Sequence, residues 1–95
     1  MKWSVTIRPR AETDLRDAFQ WYEAQRPGLG EEFLTEVKRA VSFLEEQPDR
    51  RPLYYREFRR LLTRRFPYKL FYRIDGDRVI VFRILHAKRD HRRWL

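Results

Sequence analysis

Two stretches of the chain repeat apolar residues at helical spacing, and only the turn Pro27-Gly28-Leu29-Gly30 separates them. In the first, Ala11, Leu15, Ala18, Phe19 and Tyr22 recur every three or four residues; in the second, Phe33, Val37, Ala40, Val41 and Leu44 do the same. This spacing gathers apolar side chains on one stripe of a helix, and it predicts helices over 10–26 and 30–46. Pro9 suits the first helical turn, where its missing N–H is harmless. Joined by so short a turn, the helices should lie antiparallel as a hairpin, and each stripe then needs cover.

The rest of the chain supplies a sheet. Trp3, Val5 and Ile7 alternate with Lys2, Ser4, Thr6 and Arg8, the period of a strand with one face buried. After the helices, Pro48 and Pro52 bracket a polar loop, and strands are predicted over 55–62, 65–74 and 78–86. Asp75-Gly76-Asp77 joins the last two as a hairpin. The expected order is β-α-α-β-β-β, an α+β domain with its helices on one face of a mostly antiparallel sheet. Ninety-five residues suffice for one such core and not two.

The hairpin register decides which side chains the sheet offers, because a one-residue slip exchanges the faces. A two-residue turn would put Lys69 on the face of Phe82. A three-residue, Gly-bulged turn would gather Leu70, Tyr72, Ile80, Phe82 and Ile84 in the core, leaving Lys69, Phe71, Arg73, Val81 and Arg83 on the open face. The second register buries apolar groups without burying Lys69 and is the expected one. Arg83 then interrupts an apolar strand on the uncovered surface, close to Lys69.

Charge divides the chain in two. Residues 1–48 carry 7 Lys and Arg against 9 Asp and Glu, whereas residues 49–95 carry 15 against 5. The entire basic excess falls in the sheet half, which points to an anionic partner. The cluster Arg56, Arg59, Arg60, Arg64 and Arg65 is denser than solubility requires and reads as a recognition surface. Phe66, Tyr68, Phe71, Tyr72 and Phe82 could stack single-stranded bases, but hairpin core is the simpler reading, as it is for Trp21 and Tyr22.

Most catalytic constellations are missing from the sequence. The three glycines each mark a turn, so no phosphate loop exists. The two histidines, His86 and His91, come without a carboxylate cluster and predict no metal site, and no cofactor is implied. Asp14, Asp17, Glu31 and Glu32 are expected on solvent faces of the helices. The chain contains no cysteine and no long apolar run, so no membrane partner and a cytoplasmic setting are expected.

Several segments, in order, resemble the RelE/ParE superfamily of bacterial type II toxin–antitoxin toxins: Ala11-x-x-Asp14-Leu15, Trp21-Tyr22-Glu23, Pro27-Gly28-Leu29-Gly30-x-x-Phe33, Arg65-Phe66-Pro67-Tyr68-Lys69-Leu70-Phe71-Tyr72 and Ile84-Leu85-His86-x-x-Arg89-Asp90. The resemblance spans nearly the whole chain. It implies a toxin that arrests growth and is neutralised by a cognate antitoxin protein, often through a flexible acidic segment.

The superfamily's two branches imply different chemistry. The RelE-like branch cleaves mRNA in the ribosome with basic side chains and no metal; by motif matching Lys69, Arg59 or Arg60, and Arg89 would serve it, joined by Arg83 from the open face, with His86 or His91 in place of a C-terminal tyrosine that this sequence lacks near Trp94-Leu95. The ParE-like branch inhibits DNA gyrase by binding. The Trp-Tyr-Glu and Pro-Gly-Leu-Gly helical region and the Ile-Leu-His strand end are closer to that branch, which would use Arg59, Arg60, Arg65 and Arg73 for target binding. A basic RNA-binding module without toxicity is a third expectation.

Overall fold

The computed structural model describes residues 2–88. Strand β1 (Ser4–Ile7) leads into helices α1 (Pro9–Gln25) and α2 (Leu29–Glu46), a 3-10 turn (Pro48–Arg50), and strands β2 (Leu53–Tyr55), β3 (Phe58–Leu62), β4 (Tyr68–Asp75) and β5 (Arg78–His86). These strands form one sheet in the order β1-β5-β4-β3-β2, antiparallel except where β1 lies parallel to β5. The α+β architecture and both helices are as the sequence predicts. The strand expected over 55–62 is instead two strands. Tyr55 pairs with Phe58 around a tight turn that holds Arg56 at φ 54°, a left-handed conformation unusual for a residue other than glycine.

The helical hairpin covers one face of the sheet. Ala11, Ala40 and Leu44 pack on Leu61, Leu70, Tyr72, Val79, Val81 and Ile84, while Phe33, Val37 and Ala18 close around Phe66. Tyr22, Phe33, Phe66 and Tyr68 meet with ring centroids 4.8 to 6.1 Å apart, mostly edge to face, a geometry favourable beyond simple burial. Trp21, expected in this core, is 59% exposed.

The Trp-Tyr-Glu and Pro-Gly-Leu-Gly segments form one joint. Gly28 starts α2 at φ 90°, and no capping side chain on α2 itself serves the unpaired N–H groups there. Glu23, near the end of α1, does so: its carboxylate accepts the N–H of Gly28 at 2.9 Å and that of Gly30 at 3.0 Å. Negative charge is favourable at a helix N-terminus. A Cβ at Gly30 would stand 2.7 Å from the Phe19 ring and 2.9 Å from the Glu23 carboxylate. Gly30→Ala should therefore cost about 1–3 kcal/mol through overpacking, read as a lower urea midpoint. A variant as stable as the parent would show that Phe19 gives way freely.

The β4–β5 hairpin reconciles the two registers considered from sequence. Its turn has two residues, with Asp75 opposite Arg78 and Gly76 at φ 65°. The extra residue lies in mid-strand: Tyr72 faces Val81, but Phe71 faces Arg83. This bulge shifts β5 by one position. Val79 and Val81 occupy the helix-covered core near the turn, where Ile80 and Phe82 were expected, and Ile84 joins them beyond the bulge.

Candidate functional site

The face of the sheet turned away from the helices is the candidate site. Strand alternation, fixed by Leu61, Leu70 and Tyr72 in the core, directs Arg60, Leu62, Lys69, Phe71 and Arg73 to this face. The face is a layer of cations over rings. The Arg60 guanidinium sits 3.8 Å from the Tyr54 ring centre, and those of Arg8 and Arg73 lie 5.4 and 5.2 Å from that of Phe82. Tyr54 contacts Phe71, and Phe58 contacts Phe82, so the aromatic layer runs from β2 to β5. Such stacking is worth roughly 0.5–1 kcal/mol at exposed sites, and it also holds each guanidinium in a fixed plane.

Lys69 and Arg60 come together here. Lys69 faces Leu62 and Arg60 faces Phe71, which makes the two cations diagonal neighbours. Neither has a carboxylate partner among the described residues. Burial, and then the charge of Arg60, pull the Lys69 ammonium below its ordinary pKa. Two adjacent cations without a carboxylate partner among the described residues, Lys69 partly desolvated and Arg60 exposed, are suited to hold an anionic group.

The other sequence-derived candidates go elsewhere. Arg83 is not on the open surface: it is 8% exposed and gives Asp14 two hydrogen bonds, from Nε at 2.7 Å and Nη2 at 2.9 Å. Those bonds raise its pKa further. Asp14, expected on a solvent face, also accepts the Ile84 N–H at 3.0 Å and so ties α1 to β5. Arg73 pairs with Glu57 at 3.2 Å, and Arg65 pairs with Glu32 at 2.6 Å, away from the Lys69–Arg60 pair. Arg59 lies on the helix-covered side opposite Tyr72 and donates to the Arg51 carbonyl. His86 pairs with Tyr68 in the ladder, their rings 5.4 Å apart, and its Nδ1 accepts the Lys88 N–H. Arg89 and His91 lie outside the described residues.

Among the described residues no cluster of His, Cys, Asp and Glu could hold a metal ion, and no helix is long and apolar enough to cross a membrane. The site's resources are cations, rings and backbone.

A helical hairpin on one face of a five-stranded, mostly antiparallel sheet is the fold expected from the resemblance to the RelE/ParE toxins. The sequence model of the ParE toxin of the type II toxin–antitoxin system parDE matches residues 5–91. The chain belongs to this family. Among solved structures it is similar to a chain of the chromosomal ParDE toxin–antitoxin system from P. aeruginosa, with a TM-score of 0.81, 20% identity, and coverage of 90% of this chain and 97% of that one. It is also similar to a chain of the toxin–antitoxin complex RelBE2 from Mycobacterium tuberculosis, with a TM-score of 0.63, 24% identity, and coverage of 90% and 99%. At these identities the likeness carries the fold. No curated protein matches.

Proposed function

We propose that this chain is a growth-arresting toxin that acts by binding DNA gyrase and is held inactive by a cognate antitoxin. The family and the folds of its structural neighbours support the toxin reading. The observation that favours binding over RNA cleavage is the Asp14–Arg83 pair. A ribonuclease of this fold needs several free cations around one phosphate, and Arg83, expected from its place in β5 to stand on the open face as one of them, is spent on Asp14 and nearly buried. What is left, Lys69 and Arg60 on a ring-lined face, suits an acidic protein surface.

Purified toxin should block gyrase supercoiling in vitro, and translated message in arrested cells should show no new ends by primer extension. Normal supercoiling at excess toxin, with message cut, would reverse the assignment. Both cations lie on the presented face, so Arg60→Glu with Lys69→Glu should raise the concentration for half-inhibition at least about tenfold, the size of a lost charge contact at an interface. An unchanged inhibition curve would move the binding surface elsewhere. The competing ribosome-dependent mRNA cleavage draws on one observation, the lowered Lys69 pKa, which suits proton transfer as well as anion binding.

A further inference from the structure

A lysine ammonium has no lone pair, so a lysine becomes a nucleophile only where its surroundings favour the free amine. The chain has four lysines, Lys2, Lys38, Lys69 and Lys88. Lys2 is bonded to Glu46 at 3.0 Å, which holds its ammonium charged, and Lys38 and Lys88 are exposed. Lys69 is set apart from all three. It is half-buried, and the ladder places it between Leu62 on β3 and Leu85 on β5, side chains that offer an ammonium no acceptor. No carboxylate pairs with it among the described residues. Its diagonal neighbour is a second cation, Arg60, exposed and stacked on the Tyr54 ring. Apolar surroundings and an adjacent positive charge both favour the neutral amine, and the Lys69 pKa is lowered by these causes, burial first.

The pair thus sets a nucleophile beside an anion holder. A guanidinium presents a planar fork of N–H donors that matches phosphate oxygens, and the Tyr54 ring at 3.8 Å fixes the plane of this one. Diagonal neighbours on a sheet face stand roughly 7–8 Å apart at their roots, within reach of two long side chains meeting on one small molecule. A phosphate seated on Arg60 therefore brings whatever it carries next to the Lys69 amine. The small molecules that carry an electrophilic carbon in that position are acyl phosphates, mixed anhydrides of a carboxylic acid and phosphoric acid.

We propose that Lys69 is an acylation site charged by acyl phosphates, with Arg60 holding the phosphate, and that the acyl group masks the presented face. The lone pair of the free amine forms a C–N bond at the acyl carbonyl carbon. The bond from that carbon to the phosphate oxygen breaks, its electron pair leaves with inorganic phosphate, and the surplus proton on nitrogen passes to water. The products are an amide at Lys69 and free phosphate, with no change of oxidation state. An amide carries no charge, so one of the two cations on the face is lost. The effect on target binding rests on the toxin reading; the site itself belongs to this chain.

The test treats the full-length protein with acetyl phosphate and follows each lysine by peptide mapping and mass spectrometry, the other three serving as internal controls. Lys69 should be acetylated at least about tenfold faster than Lys38 or Lys88, the lower end of what electrostatic focusing of an anion supplies. Inorganic phosphate and added salt should slow Lys69 and leave Lys38 unchanged. Arg60→Gln should bring the Lys69 rate with acetyl phosphate down to that of Lys38. The same variant should affect acetylation by the uncharged N-hydroxysuccinimide ester of acetic acid much less, since that ester has no phosphate to hold. Equal rates at Lys69 and Lys38 overturn the site, as does a Lys69 rate that neither phosphate nor Arg60→Gln lowers; should the variant melt early, phosphate and salt on the parent protein decide. Acetylated protein should then need at least about tenfold more for half-inhibition of gyrase, whereas treating Lys69→Arg should leave its own inhibition curve where it was. Equal inhibition by the parent before and after full acetylation of Lys69 overturns the masking. An untreated parent that does not inhibit gyrase removes the toxin reading instead, and the peptide map still decides the site.

Discussion

Replacing Asp14 by alanine is expected to cost the fold about 3–5 kcal/mol, the penalty for leaving a nearly buried charge without its partner. The Asp14 and Arg83 side chains are 13% and 10% exposed, so water cannot take over the lost bonds. Asp14 satisfies three donors at once: Nε and Nη2 of Arg83, and the Ile84 backbone N–H. The last of these sits where β1 has already left β5, and removing the carboxylate uncovers the strand edge as well. For a domain of this size such a loss lowers the melting temperature on the order of 15–30 °C. Asp14→Leu with Arg83→Met should recover most of the stability, because replacing both ions by apolar groups removes the desolvation cost. Thermal and urea melts of the single and double variants decide the matter. A single variant that loses less than about 1 kcal/mol would mean that the pair behaves like an exposed one.

The same pair shows what could be read from the sequence and what could not. The helices and the boundaries of β5 were legible because each has an uninterrupted period. The β2–β3 turn was not, since Arg56 and Glu57 carry none of the Gly, Asn or Pro signals that mark a reversal; only the positive φ of Arg56 reveals it. The mid-strand bulge at Phe82-Arg83 was likewise hidden, because apolar residues run through β5 on both faces and alternation cannot show a one-residue shift there. Asp14 did leave a signal. It stands three residues after Ala11 and four before Ala18, both buried, and thus lies on the apolar stripe of α1 rather than on its solvent side. A carboxylate on a buried stripe and a guanidinium inside an apolar strand call for one another. Read singly, Arg83 looked like part of the effector surface, and that surface is accordingly smaller than the charge count suggests. Lys69 and Arg60 remain on it because no acidic residue of either helix reaches that face.

Stability should also fall in alkali through one phenol. The Tyr72 side chain is fully buried and its hydroxyl donates to the Pro48 carbonyl at 2.6 Å. Burial pushes its pKa up to about 12, against the smaller opposing pull of Arg59 and Arg51. The folded state thus favours the protonated phenol, while the unfolded chain releases the proton near pH 10. A group whose folded pKa is the higher one contributes fully below the unfolded pKa and loses that contribution as pH rises through the folded one. The loss should therefore span about pH 10 to 12 and total about 3 kcal/mol, two units at roughly 1.4 kcal/mol each. Tyr72→Phe should remove this alkaline component, while costing about 1–3 kcal/mol at neutral pH because the Pro48 carbonyl loses its donor. The quantity to measure is the difference between parent and variant urea midpoints across that range, since Tyr22, also raised by burial, titrates in both. A constant difference would show that Tyr72 ionises no later than an exposed tyrosine.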